Sequence, residues 1–231
     1  MATLKLANLH GQRLDALTFC ARVYDLFEQI RGSEGGASNL RMRRGKEKKR
    51  LIEELLPICK YVQTRYRHGH YIEVTWVDGN QQYDARLDQR GGYVDREMEP
   101  AEAYLEVTGA MHPNDYLLRE RIDKEGFAFE AGGLSRDKKT GEIKSEAVGH
   151  ANLSHIHEFA GFVAGEIEKK ASKKYPEHTT LIVNCVLNIF DPDEWDVLLT
   201  AVRDRLPPDR YRGHFREIFL CDHTLLRSHT F

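Results

Sequence analysis

Apolar residues along this chain follow two rhythms. From 12 to 31 (QRLDALTFCARVYDLFEQIR) they recur at helical spacing, at Leu14, Leu17, Val23, Leu26 and Ile30. The stretch GSEGGASN at 32–39 breaks that pattern. A second helix is expected over about 46–66, with Leu51, Leu55, Ile58, Cys59 and Val62 on one side and Pro57 placed to bend it. The rhythm then shortens to two. YIEVTWV (71–77), QYDARLD (82–88) and AYLEVT (103–108) alternate as half-buried strands do, and Asp78-Gly79 predicts a hairpin between the first two.

Residues 113–125 read as a short helix, and 131–150, polar and rich in glycine, as a loop or exposed hairpin. A long helix follows at about 153–174. The run TTLIVNCVLNI (179–189) is apolar almost throughout, which suits a central strand covered on both faces. Asp191 or Asp193 can cap the helix DEWDVLLTAVRDRL, and FREIFLCD (215–222) is a last strand. This order predicts an α/β (α+β) domain with a mixed central sheet flanked by helices.

Composition narrows the class. With 231 residues, 41% hydrophobic and 30% charged, the chain is a globular protein. Its net charge of −2, from 34 basic and 36 acidic residues, gives no global attraction to nucleic acid, so any such function rests on local clusters. The four cysteines form no C-x-x-C pair and three lie in apolar runs, as buried thiols of a reducing compartment do. MATLKLANLH lacks the apolar run of a signal peptide, and no segment approaches the roughly 18 apolar residues of a membrane span. A cytoplasmic protein without membrane attachment is the expectation.

The strand letters carry the chemistry. If Asp78-Gly79 is a two-residue turn, Glu73 lies opposite Asp84, and Glu73, Thr75, Asp84, Arg86 and Asp88 share one face. Glu106 and Thr108 stand on the corresponding side of the third strand. Glu73, Asp84 and Glu106 would then gather in one patch, which needs compensation. Solvent with Arg86 is one compensation. A divalent cation held by hard carboxylate oxygens is the other.

A helix with glutamate, a strand pair with aspartate on its second strand, a strand carrying E-x-T, then helix, strand, helix and strand resembles the PD-(D/E)xK (restriction-endonuclease-like) nuclease superfamily. The resemblance covers roughly 46–222. It divides the chain into an N-terminal helix with basic linker, 1–45, and a domain of 46–231 with an αβββαβ core. It implies a Mg²⁺- (or Mn²⁺-) dependent hydrolase acting on phosphodiester bonds, with DNA as the expected substrate. Asp84 becomes the motif aspartate and Glu106 the motif glutamate, both metal ligands. Glu73 and Glu54 are further candidate ligands, Glu54 lying at the edge of the apolar stripe of its helix. Thr108 stands where the family has lysine and lacks its charge. Arg121, placed by helical angle inside the stripe of Leu117, Leu118 and Ile122, is the candidate to share the work of that lysine.

RMRRGKEKKR (41–50) has seven basic residues against one glutamate. Arg41, Arg43, Arg44, Lys46, Lys48 and Lys49 are therefore candidate contacts to a phosphate backbone. The histidines, His150, His155, His157, His223 and His229 among them, show no zinc-ligand spacing, and no G-x-S-x-G elbow is present. Nucleases of this fold often dimerise, so a homodimer is a further expectation. The alternative reading is a non-catalytic nucleic-acid- or protein-binding module on the same fold. A third makes the acids plain surface.

Overall fold

The computed structural model describes residues 5–149, 153–186, 191–222, 224 and 226–231. Strand β1 (Arg13–Asp15) leads into α1 (Ala16–Arg31), where the Asp15 carboxylate accepts the backbone N–H of Leu17 at 3.0 Å and so caps the helix. The short helix α2 (Gly36–Arg41) follows. Helix α3 (Lys46–Arg50), a π-helical turn (Leu51–Leu55) and α4 (Leu56–Arg65) run on as one helix. Pro57 has no N–H to give, and the wider turn immediately before it accommodates its ring.

Strands β2 (Tyr71–Trp76) and β3 (Ala85–Arg90), helix α5 (Gly92–Asp95), strand β4 (Glu102–Met111) and helix α6 (Asp115–Glu125) come next. The expected polar segment carries a hairpin, β5 (Leu134–Arg136) and β6 (Ile143–Ser145). Helix α7 (Ser154–Ala171), strand β7 (Thr179–Val186), helix α8 (Pro192–Arg205) and strands β8 (Glu217–Asp222) and β9 (Ser228–Thr230) complete the chain. The last letters of the expected strand at 179–189 lie outside the described residues, as do His150 and His223. Asp191, not Asp193, caps α8, and Glu194 completes a capping box.

The fold is the expected mixed α/β architecture. Seven strands form one sheet in the order β1-β2-β3-β4-β7-β8-β9. The pairs from β1 to β4 are antiparallel, β4, β7 and β8 are parallel, and β9 returns antiparallel. On one face α1 and α4 pack over Ile72, Val74, Trp76, Leu87, Leu105 and Val107. On the other, α7 and α8 pack over Ala110, Leu181, Val183, Ile218 and Leu220. From Thr179 to Cys185 every residue of β7 is buried, as a strand roofed on both sides requires. Residues before 46 share this core, because β1 pairs with β2 and α1 packs on α4.

The hairpin corrects one expectation. Pairing runs from Tyr71↔Arg90 to Trp76↔Ala85, so Glu73 lies opposite Asp88 and residues 77–84 form a longer connection. Asp78 is not free to sit in a tight turn, since Lys46 and Arg50 each hold its carboxylate at 2.9 Å. The Gln81 amide also donates to the carbonyls of Val77 and Tyr83, at 2.7 and 2.9 Å. The shift is an even number of residues, so the buried and exposed faces stay as the alternation predicts.

Candidate active site

Strand β4 places Glu106 and Thr108 on the face that α7 covers. Its pairing with β3 starts at Ala85↔Leu105, and one step further brings Asp84 opposite Glu106. Asp84 is fixed twice by β4. Its backbone N–H donates to Leu105 O, and its carboxylate accepts the Val107 N–H, both at 2.7 Å. Two acids from adjacent strands thus converge, as the sequence implies.

The helix brings the counter-charge. Lys170, in the last turn of α7, donates to Glu106 Oε1 at 2.5 Å, with both side chains largely buried. One helical turn earlier Glu166 accepts the Thr108 hydroxyl at 3.1 Å and is itself held by Lys169 at 3.0 Å. Successive outward positions of β4 therefore meet successive turns of α7. Tyr175, just past that helix, has a buried hydroxyl near Glu106 that makes no hydrogen bond of full geometry among the described residues. Burial, with the Glu106 and Asp84 carboxylates nearby, pushes it well above the ordinary tyrosine range.

These carboxylates repel. Burial pushes Asp84 up to about 7, with Glu106 and then Glu54 adding to the shift, while the Val107 N–H and Lys170 oppose it. Glu54 reaches the same region from the π-helical turn and pairs with Arg50 at 2.6 Å. Burial raises it too, against the pull of Arg50.

Two expected members do not belong to this cluster. Glu73 pairs with Arg13 at 2.5 Å and faces Asp88, because the longer connection moves it four positions away from Asp84. Arg121 pairs with Glu125 at 3.0 Å on its own helix. Strand β4 carries the chain past Glu106 by about 17 Å before it ends at Met111, at roughly 3.3 Å per residue. Helix α6 then packs on β5 and α2. Arg119, two residues before Arg121, is largely buried against Asp115.

Each residue of the basic stretch has a carboxylate partner. Arg41 and Arg44 approach Asp123 at 3.9 and 3.3 Å, and Lys46 holds Asp78 at 2.9 Å. Arg43 binds Glu53 at 2.5 Å, while Lys48 and Lys49 lie 3.8 and 4.0 Å from Glu47 and Glu53. Arg43, with a side chain only 10% exposed, is withdrawn from any phosphate track.

Lys170, Glu166 and Tyr175 are not found by reading the strands alone. A signal exists, however: a strand with a parallel neighbour is roofed on both faces. The outward glutamate of β4 therefore had to meet the crossover helix, whose end reads EKKASKK.

Comparison with protein-family models, curated proteins and solved structures finds no match to the chain. No helix among the described residues is long and apolar enough to cross a membrane. Among the described residues no group of three His, Cys, Asp or Glu side chains is placed to hold a metal. Asp84 and Glu106 are two hard oxygen donors whose mutual repulsion a cation would relieve. That set fits Mg²⁺ or Mn²⁺, which keep most of their shell as water or substrate oxygen.

Proposed function

We propose that the chain is a metal-dependent phosphodiesterase of PD-(D/E)xK type, acting on nucleic acid and expected to cut DNA. The observation that carries this reading is Lys170 on Glu106, beside Asp84. It provides the acid pair with the cation that Thr108 does not supply, from a neighbouring helix. The order helix 46–65, three strands, α7 and β7 matches the core that the motif implies. Fold alone does not fix activity, so the weight rests on the site.

Asp84 and Glu106 would hold the metal, which when bound offsets charge on the phosphate and lowers the pKa of its water. The Val107 N–H and the register of β3 on β4 aim Asp84. Lys170 orients Glu106 and offers positive charge to the phosphate. Tyr175 stays protonated and is a hydrogen-bond donor at neutral pH. Glu166, anchored by Thr108 and Lys169, fixes the last turn of α7 and so the base of Lys170.

One observation favours a second reading. The ion pair of Lys170 with Glu106 already neutralises one acid, as a binding module that has lost its chemistry would require. The test is cleavage of plasmid, single-stranded DNA and RNA in Mg²⁺, Mn²⁺ or EDTA. Metal-dependent cutting is expected, lost at least a hundredfold in Glu106→Ala and Lys170→Ala. Thr108→Lys in the Lys170→Ala background is expected to restore part of it, since the charge returns one outward position along the strand. Binding without cleavage, unaltered by Glu106→Ala, selects the binding module instead.

A further inference from the structure

A cavity of about 1170 Å³ lies at the carboxyl end of β4 and β7, between α1 and α2 on one side and α7 on the other. On its wall, Asn184 pairs with Gly109, three residues past Glu106, and His112 lies six residues past it, so the cavity runs from about 10 to about 20 Å beyond the acid pair along the strand. The crevice beyond the carboxyl ends of parallel strands is where open α/β sheets take ligands.

Its lining is mostly apolar, and the aromatic rings of Phe27, Phe129, Phe159 and Phe162 face it from three different segments. Its polar groups include four carboxylates beside three arginines, with Asp115 paired to Arg119. Asn184, only 3% exposed, has a side-chain oxygen with no hydrogen-bond partner among the described residues. A buried acceptor left unpaired is a cost a folded chain seldom accepts without a ligand or water to meet it. His112 Nδ1 accepts the Asn114 N–H at 3.0 Å, which places the proton of the neutral ring on Nε2 as a donor. Arg41, half exposed at the mouth, lies 3.9 Å from Asp123, too far for a direct hydrogen bond. Deeper in, the Arg43 and Arg119 guanidiniums are close enough to influence one another, the first paired with Glu53 and the second with Asp115.

Aromatic rings from several segments, an amide presenting donor and acceptor side by side, and arginine at the rim are complementary to a base carrying a phosphate. We infer that this cavity is a nucleotide-binding site, with the base between the phenylalanine rings, its edge on Asn184 and its phosphate at Arg41. The site is separate from the acid pair and does not depend on the proposed hydrolysis. The nucleotide has two sources of the same chemistry, a free mononucleotide or one nucleotide of a bound strand.

Calorimetric titration of the full chain in EDTA, which silences any metal at Asp84 and Glu106, decides between them. The probes are the four 5′-nucleoside monophosphates, the matching nucleosides and a short 5′-phosphorylated oligonucleotide. Saturable binding of at least one mononucleotide is expected, weakened at least tenfold in Asn184→Leu and in Arg41→Ala but unchanged in Glu106→Ala. Asn184→Leu removes the unpaired polar atom and is expected to hold or raise the Tm, which separates a lost contact from a lost fold. If that variant does not fold, Arg41→Ala, at the exposed rim, decides. Binding of the oligonucleotide alone, lost in the same variants, assigns the site to a strand. No binding in either form, binding indifferent to these variants, or a nucleoside bound as tightly as its phosphate overturns the inference.

Discussion

The most unusual single residue is Asp84, a carboxyl held near 7 with two other acids beside it. Its chemistry gives a stability signature that needs no substrate. A carboxyl whose pKa is raised on folding favours the native state while protonated. Its contribution is complete below the ordinary value of 3.8, declines as pH rises, and is lost once pH passes about 7. At full ionisation the loss is on the order of 4 kcal/mol. The substitution Asp84→Asn keeps an acceptor for the Val107 N–H but carries no charge. In EDTA, this variant is therefore expected to gain on the wild-type chain steadily between pH 4 and 7 and to hold a constant lead above. Urea unfolding at half-unit pH steps measures that difference. Parallel profiles would mean that Asp84 is as comfortable ionised as any surface acid.

At the level of elements, the sequence was legible wherever one residue determined its own surroundings. Alternation at 71–77 and 103–108 gave both faces of the sheet, and the unbroken apolar run of β7 announced a strand roofed on both sides. Boundaries failed where distant partners decided them. Asp78 reads as a turn residue, yet Lys46 and Arg50 pull it against the helix, and register moves with it. The three residues of β1 were absorbed into a helical pattern because only pairing with β2 and the Asp15 cap reveal them. For the same reason Asp84 and Glu106 were legible as a pair, whereas Lys170, sixty-four residues further on, was not.

A glycine sets the junction of α1 and α2, and a side chain there has no space. A Cβ on Gly36 would fall 1.8 Å from the carbonyl oxygen of Ile30, which is backbone and cannot turn aside. Gly36→Ala must push α2 away from α1, and with it Leu40, which is 6% exposed in the core. Such overpacking costs typically about 1–3 kcal/mol. Thermal unfolding should show a correspondingly lower Tm, and a Tm equal to that of the wild type would mean that α2 is loosely held.

For the molecule as a whole, the question is how a chain of net charge −2 would attract a polyanion. The basic stretch is the main candidate raised by the sequence, and its charges are largely answered by Asp123, Asp78 and Glu53. Four side chains there remain well exposed: Arg41, Arg44, Lys46 and Lys49, at 48, 58, 68 and 64%. Each phosphate neutralised contributes about −0.9 to the slope of log affinity against log salt on duplex DNA. If the stretch is the track, the slope is expected to be no steeper than about −4. Asp123→Asn, which frees Arg41 and Arg44 together, should tighten binding at low salt while leaving sequence preference unchanged. Fluorescence anisotropy on a labelled duplex between roughly 50 and 200 mM salt, a range wide enough to resolve such slopes, makes the measurement. A much steeper slope, indifferent to Asp123, would place the phosphate track on another face and free residues 41–49 from any part in it.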